Sequence, residues 1–147
     1  MKLFFDTSAL VKFFHKEQGT EKVTDLIGNS ENEVWILDLA KLEFRSAVFR
    51  RFRSGEIEKD ELAIALRYFT EQLLSFNVET IGPGVLKEAE SLIDEYGMDF
   101  GLRTLDALHL GAFRLLSEND WIFITSDKNL AEVAKATDAQ VLDPANP

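Results

Sequence analysis

The chain has 147 residues, 46% of them hydrophobic, and only three prolines, which suits one globular domain and leaves too little for two comfortable ones. It contains no cysteine, so structural disulfides, thiolate zinc sites and cysteine nucleophiles are excluded. The net charge of −10 is the wrong sign for general attraction to nucleic acid; either such a partner is absent, or the acids are concentrated where cations bind.

In chain order, Lys2-Leu3-Phe4-Phe5 is a short apolar run that reads as a buried strand. It ends abruptly at Asp6, and Thr7 or Ser8 reads as the cap of a helix from about Ser8 to His15. Asp6 and Lys12 interrupt the apolar N-terminus, leaving neither a secretory core nor a membrane span, so the sequence predicts a soluble, cytoplasmic protein with no membrane partner. A second helix is predicted over about Thr20 to Ile27, and Glu33-Val34-Trp35-Ile36-Leu37 is a second strand closed by Asp38 as a helix cap.

The helix from Leu39 to Arg53 carries Glu43 and a basic end of Arg45, Arg50, Arg51 and Arg53; a longer one follows from about Lys59 to Phe76. Val78 to Ile81 reads as a strand, Gly82-Pro83-Gly84 opens a helix to about Tyr96, and Gly97 to Gly101 reads as a break. Leu102 to Leu116 is helical with Asp106 and His109. Trp121-Ile122-Phe123-Ile124-Thr125 is the clearest buried strand, Ser126-Asp127 opens a helix through about Lys135, and Val141-Leu142 forms a last short strand. Strands alternating with helices predict one α/β domain over residues 1–147. Its central sheet is mostly parallel, with 4–5 strands and helices on both faces.

Four acids stand out by position. Asp6 and Asp127 follow strands that should end on the same edge of the sheet, and Glu43 and Asp106 sit inside apolar helical stretches where an unpaired carboxylate is costly. Four converging carboxylates either raise their pKa values or recruit a cation. An all-oxygen donor set favours Mg²⁺ or Mn²⁺, the chemistry of phosphodiester hydrolysis.

The pieces Leu3-Phe4-Phe5-Asp6-Thr7-Ser8-Ala9-Leu10, Leu39-Ala40-Lys41-Leu42-Glu43, Arg103-Thr104-Leu105-Asp106-Ala107-Leu108-His109-Leu110 and Thr125-Ser126-Asp127-Lys128-Asn129-Leu130 together resemble the four motifs of PIN-domain nucleases. The similarity is greatest to the small VapC-type toxins of toxin–antitoxin pairs. The resemblance implies a PIN fold, a Mg²⁺- or Mn²⁺-dependent endoribonuclease that hydrolyses RNA through metal-activated water, a homodimer, and inhibition by a cognate antitoxin. It implies that Asp6, Glu43 and Asp106 are the core metal-binding acids, that Asp127 completes the quartet directly or through water, and that Thr125 or Ser126 assists by hydrogen bonding.

Each residue also has a plainer role open to it. Asp6 could brace a turn, Glu43 could pair with Lys41 or Arg50, and Asp127 could serve only as a helix cap. Arg50 lies two turns beyond Glu43 on nearly the same face, so it either contacts an RNA phosphate or completes a solvated helix end. His109 reads as a structural histidine, and Asp38, Asp94, Asp99, Asp120 and Asp138 as caps, turns and surface. Phe13, Phe14, Phe49, Phe52, Tyr68 and Phe69 are mostly core, with an excess that suits a dimer or partner surface.

Two other functions remain open. An aspartyl-nucleophile phosphatase also begins with a strand-end aspartate followed by threonine, but it wants a second aspartate where Ser8 stands. A non-catalytic protein-binding module would need no acid cluster at all.

Overall fold

A computed structural model describes all of residues 1–147. Five strands, β1 (Lys2–Phe5), β2 (Glu33–Leu37), β3 (Asn77–Glu79), β4 (Trp121–Ile124) and β5 (Gln140–Leu142), form one sheet in the order β3-β2-β1-β4-β5. Every pairing is parallel, with Phe5 opposite Ile36 on one side and Ile124 on the other.

Seven α-helices cover it: α1 (Thr7–Leu10), α2 (Thr20–Gly28), α3 (Leu39–Arg53), α4 (Lys59–Gln72), α5 (Pro83–Phe100), α6 (Thr104–Leu116) and α7 (Lys128–Ala136). The period-two alternation of side chains divides each strand between two cores. Leu3, Phe5, Val34, Ile36 and Ile124 pack with α1 to α4, whereas Phe4, Leu37, Trp121 and Phe123 pack with α5 to α7. The chain therefore winds from β1 outward to β3 and then returns to β4. Strand order reverses between β1 and β4, the place where open α/β sheets form their crevices. Asp6 and the segment Thr125–Asp127 lie just beyond those two strand ends.

Several boundaries differ from the sequence reading, each for a local reason. The first helix is only one α-turn followed by a 3₁₀ turn over Val11–Phe13, and its cap is Asp6 rather than Thr7 or Ser8, because the Asp6 carboxylate accepts the Ala9 amide. Asp38 stands at the start of α3, but its side chain accepts from the Ile81 amide and so ties two loops together instead of capping. α4 ends at Gln72 and gives way to a 3₁₀ turn over Leu73–Ser75, and β3 begins at Asn77 and ends at Glu79. Gly97 and Asp99 do not break α5; the helix runs on to Gly101, whose φ of 61° is the left-handed stop.

α5 and α6 form a hairpin turned at Gly101, since Gly84 meets Leu115 and Arg114 meets Glu88. Gly111 permits their close approach: a Cβ there would stand 3.0 Å from the Ala89 amide nitrogen and 3.2 Å from the Val85 carbonyl oxygen. Both neighbours are backbone and cannot give way alone. Gly111→Ala is therefore expected to cost about 1–3 kcal/mol in urea unfolding. Gly28→Ala, whose added methyl meets nothing within 4 Å, should lose none. No helix is long and apolar enough to cross a membrane.

Candidate active site

Asp6, Glu43, Asp106 and Asp127 arrive from four separate elements and line one cavity of about 460 Å³. Thr7, Ser8, His109, Arg50, Arg51 and Arg103 share its walls.

Asp6 is the deepest of the four, 3% exposed, and both of its carboxylate oxygens are bound. Oδ1 accepts the Ala9 amide at 2.9 Å, the Ser8 hydroxyl lies 2.8 Å from both oxygens, and the Thr125 hydroxyl donates to Oδ2 at 2.7 Å. Ser8 Oγ in turn accepts the Ser126 amide, and Thr125 Oγ1 accepts the Asp127 amide. This network stitches the loop after β1 to the loop after β4. Burial pushes the Asp6 carboxyl above the ordinary aspartate range, against the opposing pull of His109 and of these hydrogen bonds.

Glu43 reaches in from the second turn of α3. Its Oε1 accepts the Thr7 hydroxyl at 2.8 Å and bonds the Nε2 of His109, a residue that is itself 2% exposed. Burial pushes the Glu43 carboxyl up, but the His109 bond and charge, with the Thr7 bond, outweigh it and hold the group below its ordinary range.

Asp106, in the first turn of α6, and Asp127, the cap of α7, are joined by Arg103. The guanidinium donates to Asp106 Oδ2 through Nε and stands at 3.0 Å through Nη2, while Nη2 also donates to Asp127 Oδ2 at 3.2 Å. Asp127 Oδ1 caps α7 by accepting the Leu130 amide at 2.9 Å, so the plain role of cap and a place in the cavity are held by different oxygens of one carboxylate. Burial, together with the charge of Asp127, pushes Asp106 up more than Arg103 pulls it down.

Of the two hydroxyls named from the sequence, Thr125 faces the acids, whereas the Ser126 side chain turns away and donates to Asp143. Arg50 lines the cavity without an ion pair, and Arg51 beside it pairs loosely with Glu17 and Glu56. Asp99 is exposed and lies outside the cavity. Ser8 and Arg103 are the residues to which sequence reasoning gave no place in the site, and His109, read there as a structural histidine, is buried and hydrogen-bonded but also lines the cavity. For Arg103 and His109 the available signal was spacing, since each is three residues from Asp106 and thus near its face of the helix.

The donor set is all oxygen and suits a hard divalent cation. The four carboxylates are gathered but not preassembled, because no three Asp, Glu or His side chains converge in a ligating arrangement. Two of them are held by a guanidinium and one by an imidazole.

The family model for the PIN domain matches residues 3–136, and the chain belongs to that family. No curated protein matches the sequence at a significant level. Among solved structures, a toxin–antitoxin complex from Klebsiella pneumoniae is 18% identical with a TM-score of 0.66, covering 99% of each chain. VapBC-1 from nontypeable Haemophilus influenzae is 17% identical with a TM-score of 0.64, covering 99% of this chain and 100% of that one. FitAcB from Neisseria gonorrhoeae is 14% identical with a TM-score of 0.67, covering 97% of each. At these identities the likeness is one of fold.

Proposed function

We propose that this PIN-domain protein is a Mg²⁺- or Mn²⁺-dependent endoribonuclease, the cytoplasmic toxin of a toxin–antitoxin pair. The observation that carries the reading is the meeting of Asp6, Glu43, Asp106 and Asp127 in one cavity at the point where strand order reverses. A structural neighbour described as a toxin–antitoxin complex supports the biological setting. Asp6, Glu43 and Asp106 would hold the cation, with Asp127 completing the set. When bound, the cation supplies charge neutralisation and Lewis acidity at the attacked phosphate.

The chain's own residues provide the positioning. Ser8 and Thr125 fix both oxygens of Asp6, and Thr7 and His109 fix Glu43, so neither carboxylate has to be ordered when substrate arrives. Arg50 stands on the cavity wall as the phosphate contact that an otherwise acidic surface needs. Water is the nucleophile, leaving a 3′-hydroxyl and a 5′-phosphate. Against an aspartyl nucleophile, Ser8 is a hydroxyl where such a phosphatase needs its second acid.

Phe69 is fully buried, but Phe49 and Phe52 of α3 and Tyr68 and Ile64 of α4 remain exposed. These apolar residues suit a second copy of the chain and a cognate antitoxin. The test is cleavage of structured and unstructured RNA by the purified protein with Mn²⁺. Asp106→Asn is expected to slow cleavage about 10²–10³-fold. Cleavage that survives both chelation and this substitution would refute the reading.

A further inference from the structure

Arg103 is 71% exposed in its side chain, yet its guanidinium is committed to Asp106 and Asp127, two carboxylates of the one cavity. Asp127 uses its other oxygen to cap α7, so Arg103 takes the oxygen that remains. Two carboxylates drawn to within 3.0 and 3.2 Å of one nitrogen of the guanidinium need a positive neighbour between them. No trio of acid or histidine side chains is yet arranged to ligate a cation.

Resting on the function proposed above, we infer that Arg103 is an exchangeable counter-ion. It neutralises Asp106 and Asp127 until a divalent cation takes them over, and once displaced it binds a phosphate of the RNA at the mouth of the cleft. The side chain is suited to exchange. It is long, solvated and held by nothing except the two acids, so release breaks only two charge pairs whose arginine end already stands in water. Its planar fork fits a phosphate as well as it fits a carboxylate. In a chain of net charge −10, an arginine released only when the cavity is loaded adds a positive contact at the moment RNA must be held.

Two effects of opposite sign follow, and a merely structural arginine would not produce them together. The measurement is calorimetric titration of the metal-stripped, full-length protein with Mn²⁺, comparing wild type, Arg103→Gln, Arg103→Lys and Arg50→Gln. Titration of each loaded protein with a mixed-sequence single-stranded phosphorothioate RNA follows. Arg103→Gln is expected to bind Mn²⁺ roughly threefold to tenfold more tightly than wild type, the range that loss of an exposed clamp supplies. Arg50 lines the same cavity without touching an acid. Arg50→Gln should therefore change Mn²⁺ affinity less, which separates the clamp from a general loss of positive charge.

With Mn²⁺ bound, Arg103→Gln is expected to bind the RNA more weakly, with a salt slope shallower by about 0.7. Arg103→Lys, which keeps the charge but loses the fork, should tighten Mn²⁺ and retain much of the RNA affinity. Mn²⁺ binding in wild type that Arg103→Gln leaves unchanged or weakens overturns the exchange and leaves the carboxylate site standing. Tighter Mn²⁺ with undiminished RNA affinity overturns the hand-over to phosphate. Absence of Mn²⁺ binding in every variant overturns the metal site and the exchange with it.

Discussion

Asp6→Asn is expected to raise the melting temperature of the metal-free protein by on the order of 5 °C at neutral pH while abolishing Mn²⁺ binding and RNA cleavage. The two halves of this result have one cause. Asp6 is buried, and burial raises its pKa despite the hydrogen bonds from Ala9, Ser8 and Thr125. A raised folded-state pKa means that the fold favours the protonated acid. The stability this confers is fully present below the unfolded-state value and is lost as pH rises through the folded-state value. At neutral pH the ionised carboxylate is thus a burden that a cation relieves and that a neutral amide removes.

Asparagine fits the place. It caps a helix as well as aspartate does, its carbonyl can keep the Ala9 and Ser8 bonds, and its amide can donate to Thr125 Oγ1. The gain over wild type should shrink on acidification through the folded-state pKa, because wild-type Asp6 then becomes neutral as well. Thermal melts of both proteins at several pH values, with and without Mn²⁺, check this. A variant that melts below wild type at neutral pH would show that Asp6 is a satisfied structural carboxylate.

His109→Ala is expected to weaken Mn²⁺ binding and cleavage by roughly 10–100-fold, as loss of a residue that orients a ligand does, and to destabilise the fold. His109 is 2% exposed, so truncation leaves both a cavity in α6 and a Glu43 carboxylate deprived of its strongest opposition to burial. Removing one partner of a buried charged hydrogen bond costs about 1–3 kcal/mol before the cavity is counted. The distinguishing variant is His109→Gln, whose amide can still donate to Glu43. It should recover most of the Mn²⁺ affinity even if part of the stability remains lost. Equal loss of affinity in both variants at full folding would mean that the imidazole does more than orient Glu43.

The inner strands β1, β2 and β4 were legible because each carries an apolar run between polar turns, as the two-sided burial of a parallel sheet demands. The short edge strands, Asn77-Val78-Glu79 and Gln140-Val141-Leu142, carry no such run and were harder to bound. Helix ends were also less legible. Gly97 resembles a stop in sequence, yet α5 passes through it and ends where Gly101 adopts a positive φ, a feature of conformation rather than composition. The acids were legible for a similar reason to the strands: Asp6 follows β1 directly, and Glu43 and Asp106 interrupt apolar helices. Their partners were not. Glu43 meets His109 across 66 positions and Arg103 meets Asp127 across 24, and such pairs are set by which helix packs over which strand end. In sequence Ser8 only argues against a phosphatase, whereas in the fold its hydroxyl ties Asp6 to the loop after β4.

The most direct test of the carboxylate centre is a crystal structure of the wild-type protein grown with Mn²⁺, with the ion located by its anomalous scattering. A Mn²⁺ ion in the cleft, ligated by Asp6 and by at least one of Glu43, Asp106 and Asp127 with the Arg103 clamp opened, is the expected result. A well-ordered cleft that stays free of Mn²⁺ at saturating concentration, with Arg103 still bridging Asp106 and Asp127, would contradict it.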